Sequence, residues 1–179
     1  MGKATQDLRT EHDSILHVLK ILDKVVSTGT NADVQIIKFG NELIYFLKTF
    51  ADKCHHGKEE NYLFEDLILG GIPNEGESIG VLLLEHQQGR EYISLMGKSL
   101  ESSDLVNFKT NAAKYRDHMR NHIDKENNAL FVMADKVLDD ARQNELFEKF
   151  EHHEETVMGP GVHEELHAMI HKWEGEFNL

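Results

Sequence analysis

Apolar side chains recur three and four residues apart through four long stretches of this chain, and helix-breaking residues fall between the stretches. That period dictates helices with one apolar face each, and such faces are stable only against one another. Leu8, Ile15, Leu19, Leu22 and Val26 mark a first helix, which Gly29 closes. A second runs from Asp33 to Leu69 on Ile36, Leu43, Leu47, Phe50 and Cys54, with Gly70-Gly71 and Pro73 as its stop. A third spans Ser78 to Leu100 on Ile79, Leu83, Ile93 and Gly97. Ser103 then caps a fourth, whose stripe is Phe108, Ala112, Tyr115, Met119, Met133 and Val137. Short connections make neighbours in sequence neighbours in space, so the expected fold is all-α, an antiparallel up-down-up-down four-helix bundle over residues 1–140. Residues 141–179 read as a short helical extension packed on the bundle, broken at Gly159-Pro160-Gly161.

Composition narrows the class. A chain of 179 residues with 40% apolar content suits one domain with one core. A formal net charge of −13 argues against nucleic acid or an anionic membrane as partner, since both rest on clustered Lys and Arg. The opening MGKATQDLRTEHD has no signal-like apolar run, and no stretch approaches transmembrane length. Cys54 has no second cysteine to pair with. A cytoplasmic location is the expectation.

Twelve histidines remain to be explained. Four lie on the interior stripes: His12 between Leu8 and Ile15, His86 between Leu83 and Ile93, His122 between Met119 and Met133, and His55 beside Cys54. His55 and His122 are each followed four residues later by a glutamate, Glu59 and Glu126, which shares their face of the helix. A buried carboxylate has to be paired or bind a metal. The helices therefore supply His, His-x-x-x-Glu, His and His-x-x-x-Glu in order, a pattern of two halves. In one layer of a bundle, these six side chains could hold two divalent ions about 3.5–4 Å apart, both glutamates bridging and two histidines on each ion. Such a set falls short of six-coordination, so a bridging oxygen and an exchangeable ligand are expected. The alternative is a polar core in a metal-free helical interaction module.

His56 and Glu60 form a second pair with the same spacing. Measured from Cys54, His55 is turned by about 100° and His56 by about 200°, so His56 is expected to face away from the interior. The internal repeat agrees: Phe64 stands nine residues after His55, as Phe131 stands nine after His122.

The segments EHDSIL around His12, HHGKEENYLF from His55, EHQQGR around His86 and HIDKENNALF from His122 resemble the hemerythrin-like HHE cation-binding family. The resemblance implies a non-haem di-iron centre of the oxygen-bridged type, with His12, His55, His86 and His122 as terminal ligands and Glu59 and Glu126 as bridges. It is nearest to the members with four histidines and two glutamates, which include the repair-of-iron-centres proteins. Oxygen carriers of the family have a fifth histidine one turn after the position of His86, where Arg90 stands, and a His-to-Asp spacing of five where His122 and Glu126 are four apart. Those departures argue against reversible oxygen transport. Around the centre, Arg90 could line the site or neutralise an acidic neighbour such as Glu85, and His118 could stand in for the missing imidazole or sit at the pocket edge. Tyr62, Tyr115, His56 and Glu60 are further pocket candidates. His163, His167 and His171, at i, i+4 and i+8, could bind a surface metal or form a polar edge beside Leu166, Ile170 and Trp173.

Imidazole and carboxylate do not by themselves select a metal; iron fits the open coordination, and zinc or manganese are substitutes. The function expected is a di-iron protein that senses, binds or detoxifies dioxygen, nitric oxide or peroxide, or that donates iron to damaged centres. The alternative is an oxidoreductase, of nitric oxide reductase or peroxidase type, whose electrons come from a separate redox partner, because no flavin or nicotinamide fingerprint is present. No spacing rule names a catalytic residue or separates a sensor from an enzyme.

Overall fold

The computed structural model describes residues 1–27, 33–73 and 79–177. All regular structure in these residues is helical, and six helices form an all-α bundle. Helix α1 is Lys3–Ser27. Helix α2 opens as Asp33–Phe46, widens into π-helical turns over Leu47–His56 and Glu59–Leu63, and finishes as Phe64–Leu69. Helix α3 is Ile79–Glu101, and α4 runs as Leu105–Lys125, a π-helical Glu126–Leu130, and Phe131–Val137. Helices α5 (Asp140–Val157) and α6 (Val162–Phe177) complete the chain. The expected stop at Gly29 and start at Ser78 lie outside the described residues. No helix among the described residues is long and apolar enough to cross a membrane.

The ends follow local chemistry. Gly71 takes φ 93°, and Ile72 N–H reaches Leu67 O while Gly71 N–H reaches Ile68 O, a Schellman stop at the expected glycine pair. The cap of α4 is Asp104, not Ser103: the Asp104 carboxylate accepts from Asn107 N–H, and Ser103 occupies the left-handed turn before it at φ 56°. Gly159 and Gly161, at φ 85° and 81°, turn the chain between α5 and α6.

Two apolar clusters make the core. One gathers Ile15, Leu19, Leu22, Phe39, Phe46, Ile93, Met119 and Trp173; the other gathers Leu8, Leu63, Phe64, Leu82, Phe131, Leu146 and Phe150. Between them, on each of α1 to α4, sit the buried polar residues His12, His55, Glu59, His86, His122 and Glu126. Helix α6 joins the first cluster through Leu166, Ile170 and Trp173, whose indole N–H donates to Glu42 at 2.9 Å. Helix α5 joins the second through Leu146 and Phe150, and Arg142 ties it to Asp66.

Two stripes differ from the sequence reading. In α3 the inward residue is Leu82, and Leu83 is 37% exposed; the run Val81 to Leu84 is apolar throughout and leaves the register unspecified. Past the wide turn at Glu126–Leu130, Phe131, Ala134 and the capping Leu138 are buried and Met133 packs partly buried against the second cluster, while Val137 is 41% exposed. Phe131→Ala should therefore cost about 3–5 kcal/mol in equilibrium denaturation, whereas Val137→Ala, at a half-exposed position, should stay within about 0.5 kcal/mol.

Candidate metal centre

The polar layer is assembled from one side chain, or one pair, per helix. His12 of α1 and His55 of α2 meet with their Nε2 atoms 2.9 Å apart; His86 of α3 and His122 of α4 meet likewise at 3.1 Å. Each glutamate spans the two pairs. Glu126 Oε2 lies 3.2 Å from both His12 Nε2 and His122 Nε2, and Glu59 Oε2 lies 3.7 Å from His55 Nε2 and 3.4 Å from His86 Nε2. The two halves match in their walls as well: Phe131 stacks on His12 and Phe64 on His86. Both phenylalanines sit where the wide turns place them, their N–H groups reaching Glu126 O and Glu59 O five residues back.

The tautomers are set from outside. His55 Nδ1 donates to Glu11 at 2.8 Å, His86 Nδ1 to Glu60 at 2.7 Å, His122 Nδ1 to Glu85 at 3.0 Å, and His12 Nδ1 to the Asn127 side-chain oxygen at 3.0 Å. A carboxylate only accepts, so these Nδ1 atoms carry the proton and the Nε2 lone pairs point at one another across the layer. Every acceptor is in turn held by a cation: Glu11 by Lys58, Glu60 by Arg90, Glu85 by Lys125, and Asn127 by Arg9. The dipeptide Glu-His does double duty in both halves. Glu11, beside His12, clamps His55 on the next helix, and Glu85, beside His86, clamps His122.

His56 corrects the register argument. It is 3% exposed, stacks on His86 with ring centroids 3.8 Å apart, and faces the interior together with His55. The 100° step assumed for an α-helix does not apply here, because Leu47–His56 is π-helical: each residue advances through a smaller angle, and consecutive residues share a face. Donor atoms of His12, His55, Glu59 and Glu126 converge within 4.8 Å of one another, and so do those of His56, Glu59, His86 and His122. Glu59 belongs to both sets.

The other candidates are placed around this core. Glu60 orients His86, as described. Arg90, with a side chain 39% exposed, bonds Asp52 and Glu60 at 2.7 Å each and not Glu85. His118 Nε2 donates to the Glu85 carbonyl, 2.8 Å away, and is in neither donor set. Tyr62 packs on Phe150 and His153, and Tyr115 is buried with an unpartnered hydroxyl. His163 bonds Glu154 and His171 bonds Glu174, and the stripe His163, His167, His171 is not among the converging donor sets of the described residues. A third set, Glu11, Cys54 and Glu154, surrounds the Lys58 ammonium, which supplies the positive charge there. Sequence reasoning turned His56 outward and missed Glu11, Lys58, Arg9, Asn127 and Lys125 of the outer ring; Glu60, Arg90 and Glu85 it had named near the site, without the partners they take.

The electrostatics suit a cation. Both oxygens of Glu59, both oxygens of Glu126 and both ring nitrogens of His56 are buried without a hydrogen-bond partner. Burial and the neighbouring Glu126 charge push the Glu59 carboxyl well above its ordinary 4.5. Burial alone would depress His122, but the charge of the Glu126 carboxylate beside it and the bond to Glu85 raise it to about 9. In the metal-free chain the layer thus retains protons that a cation displaces. The hydrogen bond from His122 is the main reason that Glu85 falls to about 2. Donor chemistry, orphaned atoms and inward lone pairs all fit a metal site.

The family model for the hemerythrin HHE cation binding domain matches residues 3–134, and the chain belongs to that family. No curated protein and no solved structure matches it. The matched span contains both converging donor sets and excludes α5 and α6.

A pH dependence follows. Burial, reinforced by neighbouring imidazoles, holds His55 and His56 well below 6.5, so on unfolding they take up protons and their contribution to stability is lost as pH falls below 6.5. His122 has the opposite sign: its contribution is present below 6.5 and is lost as pH rises through about 9. Thermal melts of chelator-treated protein should show both losses. His56→Gln should flatten the acid limb and His122→Gln the alkaline one; unchanged limbs would place these rings in a solvated environment.

Proposed function

We propose that the layer holds two iron ions: His12, His55, Glu59 and Glu126 would hold one and His56, Glu59, His86 and His122 the other, with Glu59 common to both sets and Glu126 also 3.2 Å from His122. The observation that carries this reading is the set of buried, unpartnered oxygens on both glutamates, enclosed by imidazoles whose lone pairs face inward. One ion takes His12 and His55, and the other takes His56, His86 and His122. The second set thus has one imidazole more than the first. When bound, a pair of this kind supplies reversible binding or reduction of a small oxidant, with dioxygen, nitric oxide and peroxide as the candidates. The residues of the chain fix the imidazole tautomers, exclude bulk water through Phe64 and Phe131, and neutralise charge through Lys58, Arg90 and Lys125.

His56 also changes one inference from sequence. Of the two departures that argue against oxygen transport, Arg90 standing where a fifth histidine is expected is offset by His56, which supplies a fifth imidazole from another helix, while the spacing of four between His122 and Glu126 stands. Sensing, storage and detoxification of an oxidant are therefore all compatible with the donor set. A dedicated oxidoreductase would need electrons from a partner protein, and donation of iron to damaged centres would need an exchangeable ion.

The test is anaerobic metal analysis of protein from iron-supplemented cells, followed by visible spectra with each oxidant. Iron in both sets with a ligand-dependent spectrum is the expected result; folded protein that takes up no iron would leave the metal-free interaction module. Glu59→Gln and Glu126→Gln should each lose at least one ion while keeping helicity. His55→Ala should weaken the ion on the His12 side and His56→Ala the ion on the His86 side, and indifference of either variant would remove that residue from the ligand set.

A further inference from the structure

The matched family unit ends at residue 134, yet the ring of partners around His55 closes only with a residue of α5. Lys58 lies on α2 between the donors His55 and Glu59, and its side chain turns outward from the layer while remaining 1% exposed. Its ammonium sits among three carboxylates, 2.7 Å from Glu11 and 3.1 Å from Asp7, both of α1, and 3.1 Å from Glu154 of α5. A buried ammonium is tolerable only with such partners. Glu11 divides its oxygens, Oε1 to Lys58 and Oε2 to His55 Nδ1.

The preceding residue of α5, His153, grips the backbone of the same turn. Within the π-helical stretch, Gly57 N–H is directed to Asp52 O and Cys54 O and passes over Lys53 O, which is its partner in an α-helix; His153 Nε2 bonds that carbonyl at 2.9 Å. The approach is close enough that a Cβ on Gly57 would lie 2.6 Å from His153 Nε2. Thus α5 holds the His55–His56 turn at two adjacent points, one through main chain and one through Lys58.

We propose that Glu154 is a positioning residue of the metal centre: through Lys58 and Glu11 it fixes the His55 ring toward the ion shared with His12, which makes α5 part of the site. The proposal rests on the two-ion reading above. Without Glu154, the Lys58 ammonium is drawn toward Asp7 at the surface, Glu11 loses a fixed partner, and the His55 ring gains freedom. The ion on the other side depends less on this link, because His86 and His122 are held by Glu60 with Arg90 and by Glu85 with Lys125, and His56 makes no bond to Glu11 or Lys58.

The test uses the full chain loaded with cobalt(II), comparing Glu154→Ala, Glu154→Gln and, as a control at an exposed position of the same helix, Glu151→Ala. Titration reads the affinity of each ion, and proton spectra read the cobalt-shifted ring N–H resonances, with Glu11→Gln identifying that of His55. Glu154→Ala should weaken one ion about tenfold, the lower end for outer partners of metal ligands, and leave the other within about twofold. Only the His55 resonance should broaden through solvent exchange. Glu154→Gln should recover most of the affinity, since its amide oxygen still accepts from Lys58, and Glu151→Ala should match the parent. Unchanged affinities with an unchanged His55 resonance would overturn the proposal, and so would equal weakening of both ions, which marks α5 as a general stabiliser. A parent protein that binds no cobalt would sink the two-ion reading and this proposal with it, whereas a parent that binds two and a silent Glu154→Ala would sink the proposal alone.

Discussion

Two carboxylates, Glu59 and Glu126, are buried at the centre of a helical bundle with no hydrogen-bond donor of the protein to satisfy them. Burying such charge costs several kcal/mol per group unless something positive is brought to it. The surroundings are ordered accordingly. Imidazoles surround the glutamates, acidic and amide groups hold the imidazoles, and lysines and arginines hold the acidic groups. Each shell fixes the donor or acceptor character of the shell inside it, and the innermost surface consists of lone pairs. A chain with a net charge of −13 thus spends four cations, Arg9, Lys58, Arg90 and Lys125, on the periphery of one site.

The backbone is shaped by the same requirement. Glu59 and Glu126 each open a wide turn, and the longest wide stretch ends at His56. Such turns are poorer in hydrogen-bond geometry than α-helix and occur at functional sites. Here they widen the arc of helix that can face one point, so that α2 contributes three donors to a single layer. His153 takes up a carbonyl that the widening passes over, which is how an added helix stabilises a turn that the first four leave strained in its bonding.

Much of this was readable from the residues. The 3.6-residue period gave the helices, put His12, His55, His86 and His122 on inward faces, and paired His55 with Glu59 and His122 with Glu126. The spacing of Phe64 and Phe131 announced the twofold repeat that their stacking on His86 and His12 bears out. His56 was misread because a uniform angular step was assumed, and no local composition marks where a helix widens. Leu82 and Leu83 were exchanged because four successive apolar residues carry no phase. The clamps Glu11 and Glu85 were invisible for another reason: each serves the helix that follows, and such pairings depend on three-dimensional neighbours rather than on spacing along one helix.

The division of the apolar core into two clusters has a mechanical meaning. Each of the first four helices is glued to its neighbours above and below the histidine layer by hydrocarbon, and across the layer by polar contacts alone. Cohesion along the bundle axis is therefore uneven, with a waist whose strength depends on what occupies it. A cation seated in such a waist would act as a rivet, joining two oily ends that are each already closed.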